Sequence, residues 1–135
     1  MVPMNVALVT GSGKKRVGSV VADALESAAA FRLRGVNVLL VQADLRDEAA
    51  VKGMIQQVLD RFGRIDVLVN CAADWKSKKL EEVTAADVRH YLEVNTLGTF
   101  LCCQHAGLAM VKQPEGGCII TLGDSITKGV RPGVK

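Results

Sequence analysis

The chain has 135 residues, 49% of them hydrophobic and 23% charged, the make-up of one globular domain. A net charge of +3 with scattered basic residues argues against a nucleic-acid partner, and no apolar run is long enough for a membrane helix. Cys71, Cys102, Cys103 and Cys118 have no Cys-x-x-Cys spacing and no paired His, so they read as reduced core thiols of a cytoplasmic protein, with no metal site and no disulfide framework expected.

The opening MVPMNVALV has no basic lead-in and runs directly into a strand, so no signal peptide is expected. Val6 to Val9 is a β-branched apolar run that fits a buried parallel strand. A Gly-rich turn follows, and a helix starts at Val17. Gly11, Gly13 and Gly18 permit a tight turn and close approach of backbone to a ligand. The N-terminus of a helix behind such a turn presents N–H groups and a positive dipole end, which suit a pyrophosphate. Lys14, Lys15 and Arg16 add positive charge there. A P-loop is excluded, because Leu8 stands where its first Gly is needed and Lys15 where Ser or Thr is needed.

Residues 19–34 read as a helix that Gly35 stops. Val36 to Val41 reads as a second buried strand. Asp47 caps a helix from Glu48 to Phe62 with Val51, Ile55, Val58, Leu59 and Phe62 on one face, and Gly63 ends it. Asp66 to Asn70 is a third strand, followed by a Lys-rich polar loop. Thr84, with Asp87 three residues on, caps a helical pattern that reaches about Lys112 and bends near Gly98. Pro114, Gly116 and Gly117 make a turn into a fourth strand, residues 118–122, and the remainder is loop-like.

Strands alternating with helices predict an α/β fold, a parallel sheet between helices. Ligands of such sheets sit at the carboxyl ends of the strands. Thr10–Gly18, Asp44, Asn70–Ala73 and Leu122–Ser125 all fall at strand ends, which predicts a nucleotide site.

These residues resemble the short-chain dehydrogenase/reductase family. Thr10-Gly11 through Gly18 is similar to its cofactor turn and Ala43-Asp44-Leu45 to its adenine-contacting segment. Asp66 through Ala73 is similar to its Asn-Asn-Ala-Gly strand end, and Val94-Asn95-Thr96-Leu97-Gly98 to the helix carrying its active-site Asn. The resemblance implies a Rossmann-like, doubly wound domain over residues 1–135, incomplete, because the second strand and the C-terminal half of a typical member have no counterpart. It implies hydride transfer between a nicotinamide cofactor, NADP or NAD, and a carbonyl or C=N group of a small molecule. It also implies a homo-oligomer, dimer or tetramer. Gly11, Ser12, Gly13, Lys14, Arg16, Val17, Gly18, Asp44, Leu45, Asn70, Cys71 and Ala72 would line the cofactor; Asn95 and Asp124 would serve catalysis.

The departures are informative. Arg16 replaces the middle Gly of a turn one residue longer than usual, and Asp124 stands where many members have Ser, as in the pteridine reductase branch. Asn70-Cys71-Ala72-Ala73 lacks the second Asn and the last Gly. The Tyr-x-x-x-Lys pair is absent: Tyr91 is the only Tyr, and Asn95 lies four residues on. A non-catalytic nucleotide-binding or scaffold relative is therefore the alternative. His90 and His105 show no metal-like spacing and read as structural or exposed. Between Gly18 and Val36 there is room for one helix where the family has helix, strand and helix. A break between Ala24 and Ala30, with a Cα step far above about 3.8 Å, is the expectation that follows.

Overall fold

A computed structural model of the chain describes residues 5–11, 28–74 and 76–122. Strand β1 (Ala7–Thr10) is followed by helical backbone α1 over 28–33, helix α2 (Glu48–Phe62), strand β2 (Val67–Asn70), helix α3 (Ala85–Tyr91), helix α4 (Gly98–Met110) and strand β3 (Cys118–Thr121). The strands form a parallel sheet in the order β1-β2-β3, with Leu8 opposite Leu68 and Leu68 opposite Ile119. Because side chains alternate along a strand, Leu8, Leu68 and Ile119 share one face and Val9, Val69 and Ile120 the other.

Helices α2 and α4 pack together over the first face. The core there comprises Val51, Met54, Ile55, Val58, Ile65, Leu68, Leu101, Cys102, Ala106 and Met110. On the opposite face Val9 and Ile120 remain 52% and 44% exposed. The boundaries of α2 have local causes. Asp47 accepts a hydrogen bond from the Ala49 N–H, and Gly63, at φ 76°, donates its own N–H to the Leu59 carbonyl. Thr84 and Asp87 form a reciprocal capping box at the start of α3.

At the amino ends of the strands, side chains tie the sheet to its surroundings. Asp66 accepts a hydrogen bond from the Val6 N–H at 2.7 Å and from the guanidinium of Arg64. The Gln113 amide donates to the Ile65 carbonyl and accepts from the Ile65 N–H, each at 2.8 Å.

Three expectations need correction. Val36 to Val41 is not a strand. It is not buried throughout either: Leu39 and Val41 pack against the core, as do Ala43 and Leu45 beyond it, while Val36 and Leu40 are exposed. The segment finds no ladder partner among the described residues. In a doubly wound order its neighbour would be the strand for which this sequence has no room. The long helix is not simply bent: between α3 and α4 it widens into a π-helical turn, Leu92–Leu97. Cys118 is exposed on the outer strand rather than packed in the core. The expected break falls largely on residues outside the described ones.

Candidate nucleotide site

β1 and β2 end side by side, and Gly11 directly follows β1. Gly11 has φ 79°, and a Cβ built on it would lie 2.2 Å from both Cα and N of Ala72. Only glycine satisfies both the backbone angle and the contact. The turn backbone is thus pressed onto the strand end that carries Cys71 and Ala72.

Asn70 is 4% exposed. Its Oδ1 stands 3.5 Å from the Thr10 hydroxyl, which donates to it, and its Nδ2 donates to the Cys103 thiol at 3.2 Å. Its side chain therefore braces β1 against α4. Neighbouring Cys102 is fully buried, and burial pushes its thiol up to about 11, so it stays protonated.

Asn95 sits within the π-helical turn. Its Oδ1 accepts from the Asp74 N–H and its Nδ2 donates to the Asp74 carbonyl, both at 2.8 Å. This two-point clamp binds the loop after β2 to the widened helix, a place where such turns recur at functional sites. Three residues on, Gly98 admits Leu45: a Cβ there would meet the Leu45 carbonyl oxygen at 3.3 Å and its Cβ at 3.1 Å. Asp44, just before, is exposed and held by Arg46, whose side chain reaches it at 2.6 Å and whose backbone N–H donates at 3.0 Å. The Arg46 side-chain hydrogen bonds, more than the backbone one, draw Asp44 down to about 2.

Gly11, Ala72, Asn95 and Leu45 thus belong to one chain of contacts at the carboxyl ends of β1 and β2. Ser12, Gly13, Lys14, Arg16, Val17, Gly18 and Asp124 lie outside the described residues. The sequence marks His90 as structural or exposed and gives no partner for Tyr91. In the fold, His90 Nε2 stands 2.8 Å from an Asp74 carboxylate oxygen, and the Tyr91 hydroxyl accepts the Lys76 N–H at 3.1 Å. The signal was the stripe 87, 90, 91, 95 on one helical face beside a polar loop.

A cavity of about 570 Å³ lies elsewhere, in the groove between α2 and α4, where Lys52, Gln56, His105 and Lys112 contribute to its lining. Its wall includes Gly63 and Gln113, at the amino ends of the strands, so it lies at the opposite end of the sheet from Gly11 and Ala72. No helix among the described residues is long and apolar enough to cross a membrane.

Residues 6–131 match the family model for short chain dehydrogenases. A subunit of (2S)-[(R)-hydroxy(phenyl)methyl]succinyl-CoA dehydrogenase, BbsD of Thauera aromatica, is 43% identical over 86 residues, 64% of this chain and 35% of that protein. The 3-oxoacyl-[acyl-carrier-protein] reductase FabG of Staphylococcus aureus is 30% identical over 129 residues, 96% of this chain and 49% of that protein. Among solved structures, a putative dehydrogenase from Burkholderia cenocepacia with bound NADP superimposes with a TM-score of 0.70 at 26% identity, covering 77% of this chain and 47% of the other. The chain spans about half the length or less of these relatives.

Proposed function

This chain belongs to the short-chain dehydrogenase/reductase family, and we propose on that footing that it binds a nicotinamide dinucleotide, NADP in preference to NAD, for hydride transfer to a carbonyl or C=N group of a small molecule. The contact of Gly11 with Ala72 carries this reading, because the missing Cβ lets the backbone that follows β1 close onto the end of β2, at the carboxyl ends of two parallel strands where such sheets take their ligands. Gly11, Ser12, Gly13, Lys14, Arg16, Val17 and Gly18 would hold the pyrophosphate and a 2′-phosphate. Asp44 and Leu45 would hold the adenine end, with Asn70, Cys71 and Ala72 lining the strand end between. When bound, the nicotinamide supplies the hydride. Asn95, fixed on Asp74, and Asp124 would orient substrate and water. Arg16 and Asp124 support a pteridine reductase-like branch, and the reduced cysteines fit a cytoplasmic location.

Titration with NADPH and NADH, followed by nicotinamide fluorescence, should show saturable binding of both, tighter for NADPH. Neutralising Lys14, Lys15 and Arg16 together should remove a preference of about 1–3 kcal/mol. Absence of saturable binding overturns the reading, and an unchanged NADPH-to-NADH ratio overturns the phosphate assignment.

One observation favours a second reading, a nucleotide-binding relative without catalysis. Tyr91 uses its hydroxyl to accept the Lys76 N–H, and residues 1–135 hold no Tyr-x-x-x-Lys pair. Hydride transfer by this chain to a panel of carbonyl compounds separates the two readings. A homo-oligomer belongs to both, since α4 buries Leu101, Cys102, Ala106 and Met110 yet leaves Phe100 and Leu108 55% and 54% exposed. Light scattering should give a multiple of 14.4 kDa; the monomer mass rejects the oligomer.

A further inference from the structure

The described residues of the loop leaving β2 have no regular structure before residue 80, yet the helix that follows holds them at four places. Asn95 takes both backbone groups of Asp74. His90 Nε2 meets the Asp74 carboxylate at 2.8 Å. The Tyr91 hydroxyl accepts the Lys76 N–H at 3.1 Å, and Lys78 Nζ donates to Asp87 at 2.7 Å. Positions 87, 91 and 95 recur every four residues with 90 beside them, so a single helical face supplies all four. The His90 and Tyr91 rings also meet edge to face, centroids 5.5 Å apart, so each ring limits the other's rotation.

The held loop begins two residues after Ala72, the residue pressed against Gly11. Its place along the helix is opposite to that of the Asp44 segment. Leu45 meets the helix at Gly98, beyond Asn95, whereas His90 and Tyr91 stand before Asn95. An adenine at Asp44 therefore leaves the nicotinamide half of a dinucleotide for the end where the loop is latched. We infer that His90 and Tyr91 are positioning residues: they hold the backbone of Asp74 and Lys76 as the outer wall of the nicotinamide half of the site. The inference rests on the dinucleotide reading above and adds to it a wall built by residues that touch no cofactor.

The test uses the full chain and three variants: Tyr91→Phe, which keeps the ring and removes the acceptor; His90→Ala; and His90→Gln, whose amide can still donate to Asp74. Amide hydrogen exchange reads the loop. NADPH titration reads the whole site, and ADP titration reads its adenine half. Tyr91→Phe and His90→Ala should speed exchange in the loop roughly tenfold and weaken NADPH roughly three- to tenfold, about one hydrogen bond each. ADP affinity should stay unchanged, and His90→Gln should restore both readouts. Unchanged exchange overturns the latch. Faster exchange with unchanged NADPH affinity overturns the wall and leaves the dinucleotide reading intact. Equal losses for NADPH and ADP mean a general loosening and overturn the positioning role. If the unaltered chain binds neither ligand, the dinucleotide reading itself fails and takes the wall with it.

Discussion

Replacing Gly11 with alanine should destabilise this chain by about 4 kcal/mol, against about 1–2 kcal/mol for the same replacement at Gly63. Both glycines have positive φ, 79° and 76°, so both changes force an L side chain into the left-handed region. They differ in what the added methyl meets. At Gly63 there is nothing within 4 Å, and the loss is the backbone angle alone. At Gly11 the methyl is driven into the Ala72 backbone at 2.2 Å, which no rotamer change relieves. Urea denaturation checks this. With a slope of about 1–3 kcal/mol per molar, the Gly11 variant should lose well over about 1 M in midpoint, or be unfolded in water. Equal shifts for the two variants would show that the Gly11–Ala72 contact is loose, and the close approach of the two strand ends would go with it.

Asp66→Ala should cost about 2–3 kcal/mol near neutral pH, because the carboxylate joins the Val6 N–H to the Arg64 guanidinium, for which Glu115 at 3.2 Å is the remaining partner. The Val6 N–H loses its acceptor, and Arg64 loses the fork at 2.7 and 3.0 Å that holds it. The Arg64 hydrogen bonds first, and the Val6 N–H second, hold Asp66 below its ordinary carboxylate value. A lowered folded-state value stabilises the fold above the unfolded value near 3.9, and that contribution disappears as pH falls through the folded one. The difference between parent and Asp66→Ala should therefore be full at pH 6 and shrink steadily below about pH 4. A difference that stays constant down to pH 2 would mean that the carboxylate charge contributes nothing.

Much of this was legible in single residues. Asp47, Gly63 and Thr84 mark helix ends by side-chain or backbone chemistry that acts within a few positions, so their neighbours in sequence suffice to read them. The same holds for Gly11, whose conformational role is local. Its partner Ala72 is not local, and nothing near Gly11 announces a backbone 61 residues away. Val36 to Val41 shows the opposite case. Its apolar run reports burial only at Leu39 and Val41, with Val36 and Leu40 exposed, and a strand also needs a hydrogen-bonding neighbour, which no pattern within the segment can supply. The sequence places Asn70 at a strand end, but not the bonds its amide makes to Thr10 and Cys103. A strand-end Asn looks the same in sequence whether it turns outward or inward. The latch residues were hidden because their partners are mostly backbone groups and the loop's own carboxylate.

The widened turn at Leu92–Leu97 works as a phase shifter. A π turn accommodates one more residue than an α turn, and each α-helical residue advances the side-chain direction by about 100°. One continuous rod can therefore aim two working faces independently. Upstream, positions 87, 90 and 91 turn to the loop after β2; downstream, positions 101, 102, 106 and 110 turn to the sheet. In a regular helix the first bearing would dictate the second, and an adjustment to the loop would twist the core. Here one surplus residue decouples them, and Asn95 occupies the joint.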